Sequence, residues 1–245
     1  MAAARDGELL IRQFTSRKEL QWCSFLHSFL RAVPALAGRY TRSMASTQLS
    51  RVIPANEYRR ERWRNGFGWT REIHAERPDP AADWTWRLSI AEIEQDAPFS
   101  AFPGVDRELV LLRGEGLRLC FDDGDAHLLE PPHGRLRFAG ERALAGELLD
   151  GPTHDFNLMW RRDAIVAQLL HRPLVGPMVF FTGPETIWAL HLLAGEAHFD
   201  AASALPPLQA GDTALLAEPR RTRHLLDGGG ELLVIRLEPS GIARD

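Results

Sequence analysis

The sequence predicts an all-β protein, and two features of the chain after about Gln48 carry this prediction. Short apolar runs alternate there with Gly, Pro, Asn and Asp, and no 3.6-residue hydrophobic period persists beyond a turn or two. The chain also holds 20 glycines and 16 prolines, which are enough turn-forming residues to separate many short strands. We therefore expect a strand-rich domain after a different N-terminal segment.

Composition narrows the class of protein. The 245 residues fit one large or two small domains, and 44% hydrophobic with 25% charged residues excludes a disordered chain. No run reaches the roughly 20 apolar residues of a membrane span, so no membrane partner is expected. A net charge of -4 argues against nucleic acid as a partner. Two cysteines, Cys23 and Cys120, make no disulfide framework, which favours a reducing, cytoplasmic location.

The N-terminal segment, residues 1–45, differs from the rest in composition. It carries seven basic and three acidic side chains, and it contains one or two amphipathic turns around residues 20–33. Two interpretations are open: a poorly ordered or helical extension, or a mis-assigned start upstream of the true first residue, Met44.

The strands follow in order along the remaining chain. Tight turns are predicted at 122–125 and 227–230, because each is an Asp- and Gly-rich tetrapeptide and glycine supplies the positive φ that such turns need. The candidate strands are 84–90, 108–113, 117–121, 154–160, 187–193, 213–217 and 231–238.

Two of these strands alternate strictly between apolar and polar residues. In 84–90, Trp86 and its apolar neighbours share one face, and Arg87 and Ser89 share the other. In 154–161, Phe156 leads the apolar face, and the opposite face carries Asp155, Asn157 and Arg161. The polar faces are either solvated surface or the lining of a binding site.

An internal repeat gives the domain organisation. Leu111–Gly116 (LLRGEG) is echoed 81 residues later by Leu192–Ala197 (LLAGEA), and each copy is followed by a Pro- and Gly-containing turn that opens another strand. This layout resembles the cupin superfamily. The resemblance implies two jelly-roll β-barrels in one chain, a bicupin, with barrel 1 at 46–165 holding the ligand pocket and a smaller barrel 2 at 166–240.

The metal site of typical cupins has no counterpart at the matching positions. Neither Phe99–Arg107 nor Val179–Glu185 contains a histidine, and Arg137 and Ala214 stand where the later histidine is expected. His191 and His198 are seven residues apart, a spacing more typical of one buried and one surface residue. We expect no metal and no other cofactor.

Four motifs together resemble the HutD/Ves family of bacterial bicupins. The first is WRNGFGWTRE, with Phe67 where the family usually has glycine, and the second is WRLSIA. The third is PFSAFPGVDR, preceded by Ala97 in place of glycine, and the fourth is GPTHDFNLM. The motifs are the segments 63–72, 86–91, 98–107 and 151–159.

The resemblance implies a regulatory protein of histidine utilisation that senses or buffers a pathway metabolite. Small anions of the urocanate or formylglutamate class need an arginine fork, amide donors and an aromatic wall. Arg87, Arg107 and Asn157 would supply the first two, and Trp63 or Trp86 the third. The expected ligand-binding residues are Trp63, Asn65, Thr70, Arg71, Trp86, Arg87, Ser89, Arg107, Asp155, Asn157 and Met159.

Two other functions stay open. A metal-free cupin isomerase or lyase would need an acid–base pair, but Tyr40 and Tyr58 both precede the barrel strands, and His154 and Asp155 point to opposite faces as strand neighbours. Catalysis is therefore the weaker interpretation, and no catalytic residue is assigned. A protein–protein regulator with a vestigial pocket is the third interpretation. A homodimer is compatible with all three.

Overall fold

The structure is a computed structural model that describes residues 50–79 and 82–241. Its regular structure is β-strand with two single-turn 3-10 helices, so the predicted all-β class is confirmed. The predicted extension at 1–45 and the start at Met44 lie outside the described residues. No helix among the described residues is long and apolar enough to cross a membrane.

The strands follow one another along the whole described chain. The 3-10 turns are Ala55–Glu57 and Ala201–Ser203. The strands are β1 (Arg51–Ile53), β2 (Arg59–Arg62), β3 (Gly68–Glu76), β4 (Trp86–Ile93), β5 (Ala97–Pro98), β6 (Val105–Arg113), β7 (Leu117–Phe121), β8 (Ala126–Leu129), β9 (Arg135–Ala139), β10 (Leu144–Leu148), β11 (Thr153–Arg161), β12 (Ile165–Val175), β13 (Met178–Thr182), β14 (Ile187–Phe199), β15 (Leu208–Gln209), β16 (Thr213–Leu216) and β17 (Thr222–Pro239).

These strands pair antiparallel in three sheets. A six-stranded sheet has the order β2-β3-β4-β11-β6-β9, and a four-stranded sheet has the order β5-β10-β7-β8. The third sheet has seven strands, with the path β1-β16-β14-β17-β12, while β13 pairs with β17 and β15 with β14. β1, at the start of the described chain, therefore belongs to the sheet that the later strands form.

Three apolar clusters hold the sheets together. One lies between the six- and four-stranded sheets and includes Leu109 and Leu119. A second lies within the seven-stranded sheet around Leu190 and Leu232. The third joins the six- and seven-stranded sheets, where Leu158 packs in one cluster with residues of β12, β14 and β17. The six-stranded sheet thus buries apolar side chains on both of its faces.

Each of the seven predicted strands coincides with an observed strand, and one of the two predicted turns is wrong. The turn at 122–125 joins β7 to β8, but 227–230 lies inside the continuous strand β17. Gly228 and Gly230 face the backbone of β14, and a Cβ on Gly230 would stand 1.9 Å from the Ala194 carbonyl oxygen. These glycines allow close strand contact and do not reverse the chain.

Candidate functional site

A cavity of about 710 Å³ opens on the face of the six-stranded sheet that packs against the four-stranded sheet. Strands β4, β6 and β11 form its floor, and the β2–β3 hairpin and the segment after β5 form its walls. Its lining residues are Glu61, Arg62, Trp63, Arg64, Asn65, Thr70, Arg87, Ser89, Ala91, Pro98, Phe99, Ser100, Phe102, Arg107, Asn157 and Met159.

Strand register brings the floor residues together. Met159 on β11 lies opposite Arg87 on β4 and opposite Arg107 on β6, so the three form a row across neighbouring strands. Asn157 lies opposite Ser89 one step further along the same face. Because side chains alternate between faces with a period of two, all five point to the cavity side.

Arg107 is the most unusual member of this row. Only 5% of its surface is exposed, and its Nε has no hydrogen-bond partner among the described residues. One terminal nitrogen donates a long hydrogen bond of 3.4 Å to the Ser100 carbonyl oxygen. The guanidinium lies 5.2–5.7 Å from the ring centres of Phe99, Phe102 and Phe138. Burial, with a smaller contribution from nearby Arg87, lowers the pKa of Arg107 to about 10.

The other polar groups differ in how far they are already paired. Arg87 donates from Nε to Glu72 at 2.8 Å, which fixes its orientation. The Trp63 indole donates to the Thr70 hydroxyl at 2.9 Å. Asn157 is buried, and its Oδ1 has no hydrogen-bond partner among the described residues. Arg107 and Asn157 therefore carry unused hydrogen-bonding capacity toward the cavity.

The β2–β3 hairpin shapes one wall through its Asn-Gly turn. The Asn65 carboxamide accepts a hydrogen bond from the Phe67 N–H at 3.0 Å, and Gly66 adopts φ +78°. An Asn-Gly pair is typical of such tight hairpin turns. Phe67, which replaces a family glycine, is not among the cavity-lining residues.

Eight of the eleven residues expected at the site line the cavity: Trp63, Asn65, Thr70, Arg87, Ser89, Arg107, Asn157 and Met159. The structure brings these together from β3, β4, β6, β11 and the turn before β3. The remaining three, Arg71, Trp86 and Asp155, lie elsewhere.

Each of the three has a different role in the packing. Arg71 donates to the Ala55 carbonyl oxygen at 2.8 Å, outside the cavity. Trp86 is fully buried in the core between the six- and seven-stranded sheets, so it is not the aromatic wall. Asp155 is also fully buried and accepts a hydrogen bond from the Thr153 hydroxyl at 2.7 Å.

Sequence reasoning missed the aromatic groups that surround Arg107. Phe99 and Phe102 line the cavity, and Phe99 packs edge-to-face against Trp63 with ring centres 6.3 Å apart. Both phenylalanines lie in the motif PFSAFPGVDR that ends at Arg107, so the motif itself was the available signal. Nothing in the local sequence distinguishes these phenylalanines from the tryptophans as the aromatic wall.

The stacked antiparallel sheets and the polar cavity on a sheet face define a cupin-like protein. The fold resembles a bacterial pirin, YhhW, from Escherichia coli, with a TM-score of 0.59 over 78% of this chain and 100% of the pirin, at 11% identity. The family model HutD matches residues 55–234, and the chain belongs to this family.

Named relatives agree with this assignment. HutD from Pseudomonas fluorescens SBW25 superposes with a TM-score of 0.68 at 26% identity, covering 78% of this chain and all of that one. Protein Ves from Cronobacter sakazakii is 36% identical over 172 residues, which is 70% of this chain and 89% of Ves. A Pseudomonas putida protein of the hutC 3′ region is 37% identical over 118 residues, 48% of this chain and 62% of that protein.

Proposed function

We propose that the protein binds a small organic carboxylate, without metal, in the cavity beside Arg107. The observation that carries this proposal is the buried Arg107 guanidinium, which has a free Nε and no ion-pair partner among the described residues. Burying an unpaired charge is costly unless a counter-ion compensates it. A carboxylate at this point would supply both the charge and the missing hydrogen-bond acceptors.

The size and chemistry of the cavity suit a small acid with an apolar or planar body. Its volume of about 710 Å³ falls in the range typical of small-molecule sites. Phe99 and Trp63 offer apolar walls, and Asn157 offers an amide. Two charge-assisted hydrogen bonds of about 1.5–3 kcal/mol each would support binding between millimolar and micromolar.

The proposed role is regulatory, and the proposed ligand class is urocanate or formylglutamate. The supporting observation is family membership together with a relative described as a protein of the hutC 3′ region. Occupancy of the cavity would report the level of a histidine-derived acid and so adjust histidine utilisation. The sequence favours a cytoplasmic location, and the cytoplasm is where such metabolites arise.

Calorimetry and thermal shift with urocanate, formylglutamate and histidine test the proposal. A ligand at 100 times its dissociation constant should stabilise the protein by about 2.7 kcal/mol. Arg107→Met should abolish this shift, and Arg107→Lys should weaken it because lysine lacks the planar fork. Arg118→Ala is the control, since Arg118 lies outside the cavity and its side chain, paired with Glu147, is about half exposed.

Two outcomes would reject the proposal. One is that none of the three compounds shifts the wild-type protein, and the other is that Arg107→Met binds as tightly as wild type. Turnover of a bound acid by the chelator-treated protein would instead favour the isomerase or lyase alternative. Among the described residues, the cavity lining includes Glu61 but no histidine, which does not favour that alternative.

A further inference from the structure

Three side chains from separate segments meet at a surface outside the carboxylate cavity. His133 lies in the turn between β8 and β9, His171 lies on β12, and Glu231 lies on β17. Both imidazole Nε2 atoms contact the same Glu231 carboxylate oxygen, at 3.2 Å from His133 and 3.0 Å from His171. The three candidate ligand atoms all lie within 4.8 Å of one another.

The local backbone holds each side chain in place. His171 and Glu231 are diagonal neighbours on paired strands, because Glu231 lies opposite Pro173, two residues beyond His171. His133 has a left-handed backbone with φ +60°, an uncommon state for a non-glycine residue. Gly134 follows it, and a Cβ there would come within 2.4 Å of the Glu130 backbone nitrogen. This turn therefore has a tightly defined shape.

The hydrogen-bond pattern around His133 is unbalanced for a neutral ring. Its Nδ1 lies 3.3 Å from the Leu111 carbonyl oxygen, and its Nε2 lies 3.2 Å from the Glu231 carboxylate. Both neighbours are acceptors, whereas a neutral imidazole carries one N–H. If Nδ1–H donates to the carbonyl, Nε2 presents a lone pair to the carboxylate. Either a second ring proton or a cation between Nε2 and the carboxylate removes this conflict, so the pair can hold a cation.

We propose that His133, His171 and Glu231 bind a divalent transition-metal ion such as Zn²⁺. Zinc bonds of about 2.0–2.1 Å in a tetrahedral site place ligand atoms about 3.3 Å apart, close to the two observed separations. An imidazole Nδ1–H donated to a backbone carbonyl is the usual outer contact of a metal-binding histidine. Water would complete the coordination, since the His171 and Glu231 side chains are 37% and 46% exposed.

The ion would link the β8–β9 turn to the seven-stranded sheet. Beside this cluster, Arg135 at the start of β9 donates a hydrogen bond to the Leu169 carbonyl oxygen of β12 at 3.0 Å. A metal that joins segments far apart in sequence binds the folded chain in preference to the unfolded chain, so it raises stability. The sequence did not indicate this site, because 38 residues separate His133 from His171 and 60 separate His171 from Glu231.

Calorimetric titration of Zn²⁺ into the chelator-treated full chain at neutral pH tests the proposal. We expect one saturable ion per chain and a rise in melting temperature. His171→Gln and His133→Asn should each weaken binding at least tenfold; asparagine is chosen at 133 because it tolerates the left-handed backbone. His198→Gln, an exposed histidine on β14, is the control and should bind as wild type does.

Cobalt(II) gives a second readout that does not depend on stability. Tetrahedral nitrogen and oxygen coordination should produce intense visible absorption in wild type and in His198→Gln, but not in His171→Gln. The proposal is overturned if wild type shows no saturable Zn²⁺ binding, or if binding survives both histidine substitutions. It is equally overturned if Cys120→Ser, and not the histidine variants, abolishes binding. Arg107→Met should leave Zn²⁺ binding unchanged, which separates this site from the cavity.

Discussion

Asp155 is a carboxyl group that is fully buried on the same face of β11 as Asn157 and Met159. Its Oδ2 accepts from the Thr153 hydroxyl, while its Oδ1 has no hydrogen-bond partner among the described residues. Burial raises the pKa of Asp155 from 3.8 to about 7, and the Thr153 hydrogen bond only partly opposes this effect. The folded protein thus favours the protonated acid over most of the acidic range.

This shift has a defined sign in the pH dependence of stability. Between pH 4 and 7 the folded state holds a proton that the unfolded state has lost, so the free energy of unfolding contributed by Asp155 falls as pH rises. Asp155→Asn should remove that slope and be more stable than wild type at pH 8, by on the order of 3 kcal/mol. Urea unfolding at several pH values measures both quantities.

His191 also titrates in the acidic range, so the quantity to measure is the difference in free energy of unfolding between wild type and Asp155→Asn at each pH. Burial lowers the pKa of His191 to about 4, so its contribution to stability falls as pH decreases from 6.5 toward 4. This slope is opposite to that of Asp155 and is present in both proteins, so subtraction cancels it. Parallel curves for wild type and Asp155→Asn would show that Asp155 is ionised normally in the fold.

At the scale of single elements, the long strand β17 depends on its glycines. Gly230 adopts φ +141°, and a Cβ there would stand 1.9 Å from the Ala194 carbonyl oxygen of β14. At the adjacent Gly229, no atom of the described residues lies within 4 Å of an added Cβ. Gly230→Ala should therefore lower the free energy of unfolding by about 3 kcal/mol, because backbone must move to relieve the contact.

Gly229→Ala is the matched control for this prediction, and it should change stability by less than about 1 kcal/mol. Chemical denaturation with urea gives both values. Equal losses for the two variants would mean that glycine flexibility, and not the close approach of β14, accounts for the sequence at 228–230.

Individual strands also show how far the sequence alone could lead. Strict alternation in β4 and β11 correctly separated Arg87 from Trp86, because a period of two determines which residues share a face. Alternation does not say which face lines a cavity, and the structure places Trp86 in the core on the face opposite Arg87. The glycines of β17 were misread as a turn, because turn formation and close strand contact select the same residue.

In the whole molecule, pairing between strands that are distant in sequence determines which side chains meet, and the sequence alone does not show this pairing. Arg87 and Arg107 were predicted to converge because family motifs contain both. The cluster of His133, His171 and Glu231 belongs to no motif, and its members come together only through the packing of separate sheets. A site assembled from distant segments leaves no local spacing pattern.

Leu158 of β11 and Ile235 of β17 are both fully buried in the cluster that joins the six- and seven-stranded sheets. β1 crosses between the predicted barrel segments, since Arg51–Ile53 pairs with β16. A fragment of residues 46–165 would therefore expose this shared core and leave β1 without its partner strand.

We accordingly expect the full chain to unfold in a single transition, and the fragment 46–165 to remain unfolded or aggregate. Circular dichroism and tryptophan fluorescence should give coincident curves for the full chain. Leu158→Ala should shift both curves together, at a cost of about 2–5 kcal/mol. Separate transitions, or a fragment with a cooperative melt of its own, would show instead that each predicted barrel is stable without the core it shares with the other.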